Sequence, residues 1–182
     1  QPGWVSPEEQ QRLALSLGAD VPFFLDPQPA LVTGIGEKIL PLSDFPDFHL
    51  LLANSGDPLP TVDVYAAWDA LASSLTPARP GSTLRALSAF LDAKANRAEL
   101  EWARLADLLV NDLSGAARRL CPPVGRLMGR LSECGAQAVG MSGSGATVFG
   151  VFDSREQAGS AQEQLALGEP GWSRLAAMLP PR

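Results

Sequence analysis

Strand-like segments alternate along this chain with helical ones, and that alternation predicts a mixed α/β or α+β protein rather than a helical bundle. Two stretches support it most directly. Val139 to Phe152 reads as strand, glycine-serine loop, strand, since Thr147–Phe152 is β-branched and aromatic and suits a buried pleated run. Glu99 to Leu120 reads as the longest helix, with Leu100, Ala103, Leu105, Leu108, Leu109 and Leu113 along a broad apolar face.

In chain order, Ser6-Pro7-Glu8-Glu9 is a helix start, with Ser6 as N-cap, Pro7 in the first position and Glu9 three residues after the cap. That helix is expected to reach about Leu17, with Gly18 as a left-handed cap. Ala19 to Leu25 is read as an extended apolar segment with the Asp20 carboxylate at its mouth. Ala30–Thr33 and Lys38–Leu40 are expected as short strands joined by Gly34-Ile35-Gly36-Glu37. His49–Asn54 reads as a buried strand. After the proline-rich Ser55–Pro60, Thr61 is the expected N-cap of a helix over Val62–Ser73. A Pro/Gly/Ser linker around Pro77–Ser82 precedes a helix from Thr83 to about Ala93. Pro122-Pro123 ends the long helix, and another follows from Val124 to about Cys134, closed by Gly135. Ser154 is placed to cap a helix running to about Leu165. The tail from Gly171 to Leu179 fits either strand or helix.

Composition narrows the function classes. The chain has 182 residues, enough for a sizeable core, with 46% hydrophobic and 19% charged residues as in globular proteins. A net charge of −6 argues against a nucleic-acid partner, which needs a basic surface. No apolar run is long enough to span a bilayer, and no signal peptide is read. Cys121 and Cys134 lack metal-ligand spacing and are read as buried thiols rather than a disulfide. His49, the only histidine, opens an apolar run and is read as structural, which makes a His-based metal site or a Ser-His-Asp triad a poor fit.

Ser142 to Gly145 supplies two glycines and two hydroxyls between the central strands. Glycines permit positive φ and let backbone N–H groups approach an anion closely, although the same residues also make an ordinary tight turn. Asp20 is equally two-sided: a solvated loop carboxylate or cap, or a general base within reach of a substrate hydroxyl.

Four blocks occur in one order: Leu17-Gly18-Ala19-Asp20-Val21-Pro22-Phe23-Phe24-Leu25, Gly34-Ile35-Gly36-Glu37, Asn111-Asp112-Leu113, and Met141-Ser142-Gly143-Ser144-Gly145-Ala146-Thr147-Val148-Phe149-Gly150. The ordered set resembles the 4-diphosphocytidyl-2-C-methyl-D-erythritol kinases of the galactokinase, homoserine, mevalonate and phosphomevalonate (GHMP) kinase superfamily. The resemblance runs over nearly the whole chain. It implies ATP-dependent phosphorylation of the 2-hydroxyl of 4-diphosphocytidyl-2-C-methyl-D-erythritol, in non-mevalonate isoprenoid precursor biosynthesis. It assigns the catalytic base to Asp20, which would accept the proton of a poor tertiary nucleophile as the phosphoryl group arrives. It places Ser142, Gly143, Ser144 and Gly145 in the motif where substrate and transferring phosphate meet, with backbone N–H groups facing developing negative charge. Thr61 and Tyr65 match the segment holding the cytosine ring. Four residues apart, they share a helix face suited to stacking on a flat base, though Tyr65 also fits an amphipathic helix as a core aromatic. Ile35 matches a position lining the same pocket.

The family's two earlier blocks are not found in the chain: an N-terminal strand region with an essential lysine, and the long glycine-serine loop that cradles ATP. Lys38 and Lys94 are the only lysines, and neither sits where the active-site lysine belongs. The chain is thus expected to be the C-terminal part of such a kinase, short of roughly the first hundred residues, about one domain. Residues 1–46 are expected to be the tail of the ribosomal-S5-like nucleotide-binding domain. Residues 47–182 are expected to form a ferredoxin-like α+β domain closed by the Thr147–Phe152 and Trp172–Met178 strands. The complete enzyme is expected to use ATP and Mg2+, with no cofactor-binding or metal residue in this portion and negligible turnover by it alone. The expected partners are the small cytidine diphosphate substrate and the missing N-terminal part, in a cytoplasmic monomer or homodimer. Two rival readings are another GHMP kinase of a small alcohol, of homoserine or mevalonate-phosphate type, and a non-catalytic ligand-binding fragment.

Overall fold

A computed structural model describes residues 5–42, 48–72, 106, 108–166 and 171–177. The chain divides into two compact units, Gln1–Asp47 with Leu179–Arg182, and Phe48–Met178.

In the first unit, helix α1 spans Pro7–Leu17, and its start follows the cap chemistry: the Ser6 hydroxyl accepts the Glu9 N–H at 3.2 Å. Gly18 donates its N–H to Ala14 O at 3.3 Å, but with φ 164° it is extended rather than left-handed, so it ends the helix without the expected cap geometry. Residues 19–25 are not extended either. Val21–Leu25 form a 3-10 turn entered by Pro22, with the Phe23 and Phe24 rings edge to face at 5.6 Å. Strands β1 (Ala30–Thr33) and β2 (Lys38–Pro41) form an antiparallel hairpin with Leu31 opposite Leu40.

The second unit begins with β3, His49–Asn54, and helix α2, Thr61–Ala72. Thr61 is the first helical residue rather than the cap, while Pro60 O accepts the N–H groups of Asp63 and Val64. Ser73, the expected helix over 83–93 and the first part of the long Glu99–Leu120 pattern lie outside the described residues. What is described of that pattern is not one helix: residues 109–111 are irregular, Asp112 and Leu113 form a turn, and helix α3 is only Ser114–Leu120. Helix α4, Pro122–Glu133, then starts at the Pro-Pro pair, because the first helical positions need no N–H partner. Gly135, at φ +89°, lets the chain turn out of it.

Strands β4 (Ala138–Met141) and β5 (Val148–Phe152) flank the glycine-serine loop, helix α5 follows at Arg155–Ala166, and the ambiguous tail is a strand, β6 (Trp172–Ala177). The sheet order is β4-β5-β3-β6, antiparallel throughout, which is the ferredoxin-like split βαβ arrangement that was expected. Period-2 pleating turns Leu51, Ala53, Val148 and Phe152 to one face, where α4 and α5 cover them. The α4 stripe is Val124, Leu127 and Leu131; the α5 stripe is Ala158, Ala161 and Leu165. Each fully buried valine or leucine side chain there contributes about 1.5–3 kcal/mol. Cys121 is buried and Cys134 half-buried, both as free thiols.

Candidate functional site

The glycine-serine loop is closed at its base by strand pairing and shaped internally by two backbone bonds. Ser142 N–H donates to Thr147 O at 2.9 Å, and Gly145 N–H donates to Ser142 O at 3.0 Å. Gly143 and Gly145 take φ of +56° and +91°, values that side-chain-bearing residues rarely adopt. At Gly145 a side chain would also be crowded by neighbours, since a Cβ would lie 3.0 Å from Leu59 Cδ2 and 3.1 Å from Met141 Sδ. The N–H groups of Gly143, Ser144 and Ala146 donate to no acceptor among the described residues.

Two side chains hold this loop from outside it. The Thr61 hydroxyl, at the start of α2, lies 2.8 Å from the Ser144 hydroxyl. Asn111, in the break that precedes α3, uses both of its amide hydrogens: Nδ2 donates to Met141 O at 2.9 Å and to Gly143 O at 2.8 Å. Its Oδ1 accepts Leu113 N–H at 3.0 Å, an Asx turn. A similar link ties the ends of β3 and β5, where Asn54 Nδ2 donates to Thr147 Oγ1 at 2.9 Å. Asn111 stands in one of the ordered sequence blocks, yet its positioning role was not read there. A signal for the helix break, though not for the contact with the loop, was present, since Asn-Asp inside a leucine-rich helical pattern competes with helix hydrogen bonding.

Tyr65 sits one turn beyond Thr61 on α2 and is 52% exposed, whereas Val64 beside it is fully buried. The core-aromatic alternative for Tyr65 is therefore set aside. The structure brings Thr61 and Ser144 together, and it places Tyr65 on the helix that carries Thr61.

Asp20 and Ile35 belong to the first unit. Asp20 precedes the 3-10 turn, is exposed, and makes no capping bond with its carboxylate. Ile35 is exposed at the tip of the β1–β2 turn. The two blocks that carry them pack backbone to backbone: Gly36, at φ +117°, lies so close to the Ala19 carbonyl that a Cβ would sit 1.9 Å from its oxygen. Glu37 braces the turn by accepting Ile35 N–H at 2.7 Å, and Gln11 Nε2 donates to Glu37 O at 3.2 Å. Its own N–H and then that of Ile35 hold the Glu37 carboxyl below the usual carboxylate range.

Among the described residues no three His, Cys, Asp or Glu side chains gather as a metal site. No described helix is long and apolar enough to cross a membrane.

Residues 86–168 match the family described as GHMP kinases C terminal. The chain is 39% identical over 168 residues to the 4-diphosphocytidyl-2-C-methyl-D-erythritol kinase of Agrobacterium fabrum (strain C58), covering 92% of this chain and 52% of that protein. It is 36% identical over 166 residues to the kinase of that name from Chelativorans sp. (strain BNC1), covering 91% of this chain and 52% of the relative. A crystal structure of 4-(cytidine 5'-diphospho)-2C-methyl-D-erythritol kinase matches with a TM-score of 0.69 at 32% identity, over 98% of this chain and 59% of that one. The chain spans about half the length of the curated relatives it matches. The resemblance carried by the ordered blocks is borne out, and so is the α+β GHMP-kinase fold.

Proposed function

The chain carries the C-terminal portion of a GHMP kinase, and from that premise we propose that it serves ATP-dependent phosphorylation of the 2-hydroxyl of 4-diphosphocytidyl-2-C-methyl-D-erythritol, in non-mevalonate isoprenoid precursor biosynthesis in the cytoplasm. Asp20 takes the proton of the attacking hydroxyl, and its exposed carboxylate, free of a capping bond, supports that role. The loop amides of Gly143 and Ser144 face the charge that develops on the transferring group. Thr61 and Tyr65 hold the cytidine end, Tyr65 by stacking, and Ile35 is assigned to substrate by its match to the family alone. ATP supplies the phosphoryl group. The complete kinase is expected to use Mg2+ with its ATP, and no residue of this chain is assigned to the metal.

The observation that carries this reading is the 2.8 Å approach of the Thr61 and Ser144 hydroxyls. Two stretches far apart in sequence, each attributed to substrate by resemblance alone, meet at one point of the fold. Thermal unfolding with nucleotides tests it. Cytidine diphosphate is expected to raise the melting temperature of the 182-residue chain while adenosine diphosphate does not. Thr61→Val should weaken the cytidine effect without unfolding the chain. In the protein carrying this chain, Asp20→Asn should lower phosphorylation of the cytidyl substrate by about 10²–10⁴-fold. Preference for homoserine or a mevalonate phosphate, or full activity in Asp20→Asn, would overturn the assignment.

A further inference from the structure

The corner between α3 and α4 is a concavity of about 530 Å³, lined among the described residues by Gly115, Arg118, Arg119, Pro122, Gly125 and Arg126. Three of those residues are cations and none is an anion. All three arginines are exposed, and none forms an ion pair or hydrogen bond with any described residue. Arg130, one turn further along α4, is held differently: it donates to Gln164 O at 3.1 Å and lies 3.7 Å from Glu133. The chain carries 20 carboxylates against 14 cations, so three guanidinium ions without a partner among the described residues are not what its composition favours.

Helix electrostatics explains only part of the group. Arg118 and Arg119 lie in the last turn of α3, where a cation complements the negative end of the helix dipole. Arg126 lies in the second turn of α4, away from the negative end of that helix, so no helix dipole accounts for it. Gly125 leaves room for the Arg118 side chain to cross the helix, since a Cβ there would stand 3.2 Å from Arg118 Nε. Pro122 and Pro123 remove the N–H groups that would otherwise serve an anion at this helix start. Contacts to a ligand must therefore come from the guanidinium planes, whose paired donors match phosphate oxygens.

We infer that Arg118, Arg119 and Arg126 form a second anion site, separate from the glycine-serine loop, that takes a diphosphate group. Two linked phosphates offer enough oxygens for three guanidinium groups, and the concavity is of a size that admits a small molecule bearing them. The probe is inorganic diphosphate, titrated calorimetrically into the 182-residue chain in chloride buffer. Saturable binding that weakens with added salt is expected. Arg119→Gln/Arg126→Gln should weaken it by at least about tenfold, and Arg174→Gln, which removes an exposed cation on β6, should leave it unchanged. The single variant Arg126→Gln reads the same effect with the α3 end intact. Absence of saturable binding overturns the inference. So does affinity that survives the arginine changes and is lost in Gly143→Ala, which would assign diphosphate to the loop alone. Binding of polyglutamate without binding of diphosphate also overturns it.

Discussion

Asn111→Ala tests how the glycine-serine loop is held. The change removes three hydrogen bonds at once: two donated to Met141 O and Gly143 O, and one accepted from Leu113 N–H. Each contributes about 0.5–1.5 kcal/mol net, so the expected loss is roughly 2–4 kcal/mol. At this size that lowers the melting temperature by about 6–12 °C, read by calorimetry. Cytidine diphosphate binding should fall with it, because Gly143 loses the bond that anchors its carbonyl. Asn111→Asp sharpens the test. It keeps the acceptor for Leu113 N–H but sets a carboxylate oxygen against two carbonyl oxygens, so at neutral pH it should destabilise at least as much as alanine. Acidification, by protonating that carboxyl, should restore part of the stability. A melting temperature for Asn111→Ala within about 1 °C of the parent, with unchanged cytidine diphosphate binding, would refute the positioning role.

Other outcomes follow from single contacts. Gly36→Ala forces a Cβ against the Ala19 carbonyl at φ +117°, and should cost at least about 1–3 kcal/mol in the first unit, seen as faster proteolysis around residues 19–36. Glu37 stabilises the β1–β2 turn as a carboxylate whose folded-state pKa is lowered. That contribution is complete above the ordinary carboxylate pKa and is lost as pH falls through the lowered one. The hydrogen-exchange protection of Ile35 N–H should fall over that acidic window and become flat with pH in Glu37→Gln. Leu131→Ala empties a fully buried site between α4 and the sheet and should cost about 2–5 kcal/mol in urea unfolding with an unchanged slope.

Where neighbouring residues decide the backbone, the fold was legible in the sequence. Ser6-Pro7 and Glu9 set the start of α1, the glycines around Ile35 set the β1–β2 turn, and Pro122-Pro123 with Gly135 bounded α4. The failures have a common cause in short-range competition. Five apolar residues at 21–25 have no period to read, and proline with two packed phenylalanines closes a 3-10 turn there instead of an extended run. Around 109–113 the leucine spacing continues a helical stripe, but the Asn111 side chain takes over hydrogen bonding and breaks it. Of the candidate site, residue types and loop glycines were visible. The meeting of Thr61 with Ser144, and the grip of Asn111 on the loop, depend on tertiary packing that one sequence does not encode in any local pattern.

The strand order of the second unit has a kinetic consequence. β3 is the first strand of its sheet to leave the ribosome, yet it lies between β5 and β6. Leu51 pairs with Gly150 and with Leu175, roughly 100 and 125 positions further along the chain. Until those partners are synthesised, His49–Asn54 has an unpaired edge on both sides, and its apolar run is open to pairing with other nascent chains. Closing loops of that length before β3 gains any sheet contact predicts folding in milliseconds to seconds rather than microseconds. Yield in the cell should therefore respond to translation rate and chaperone supply more than to the depth of the final core.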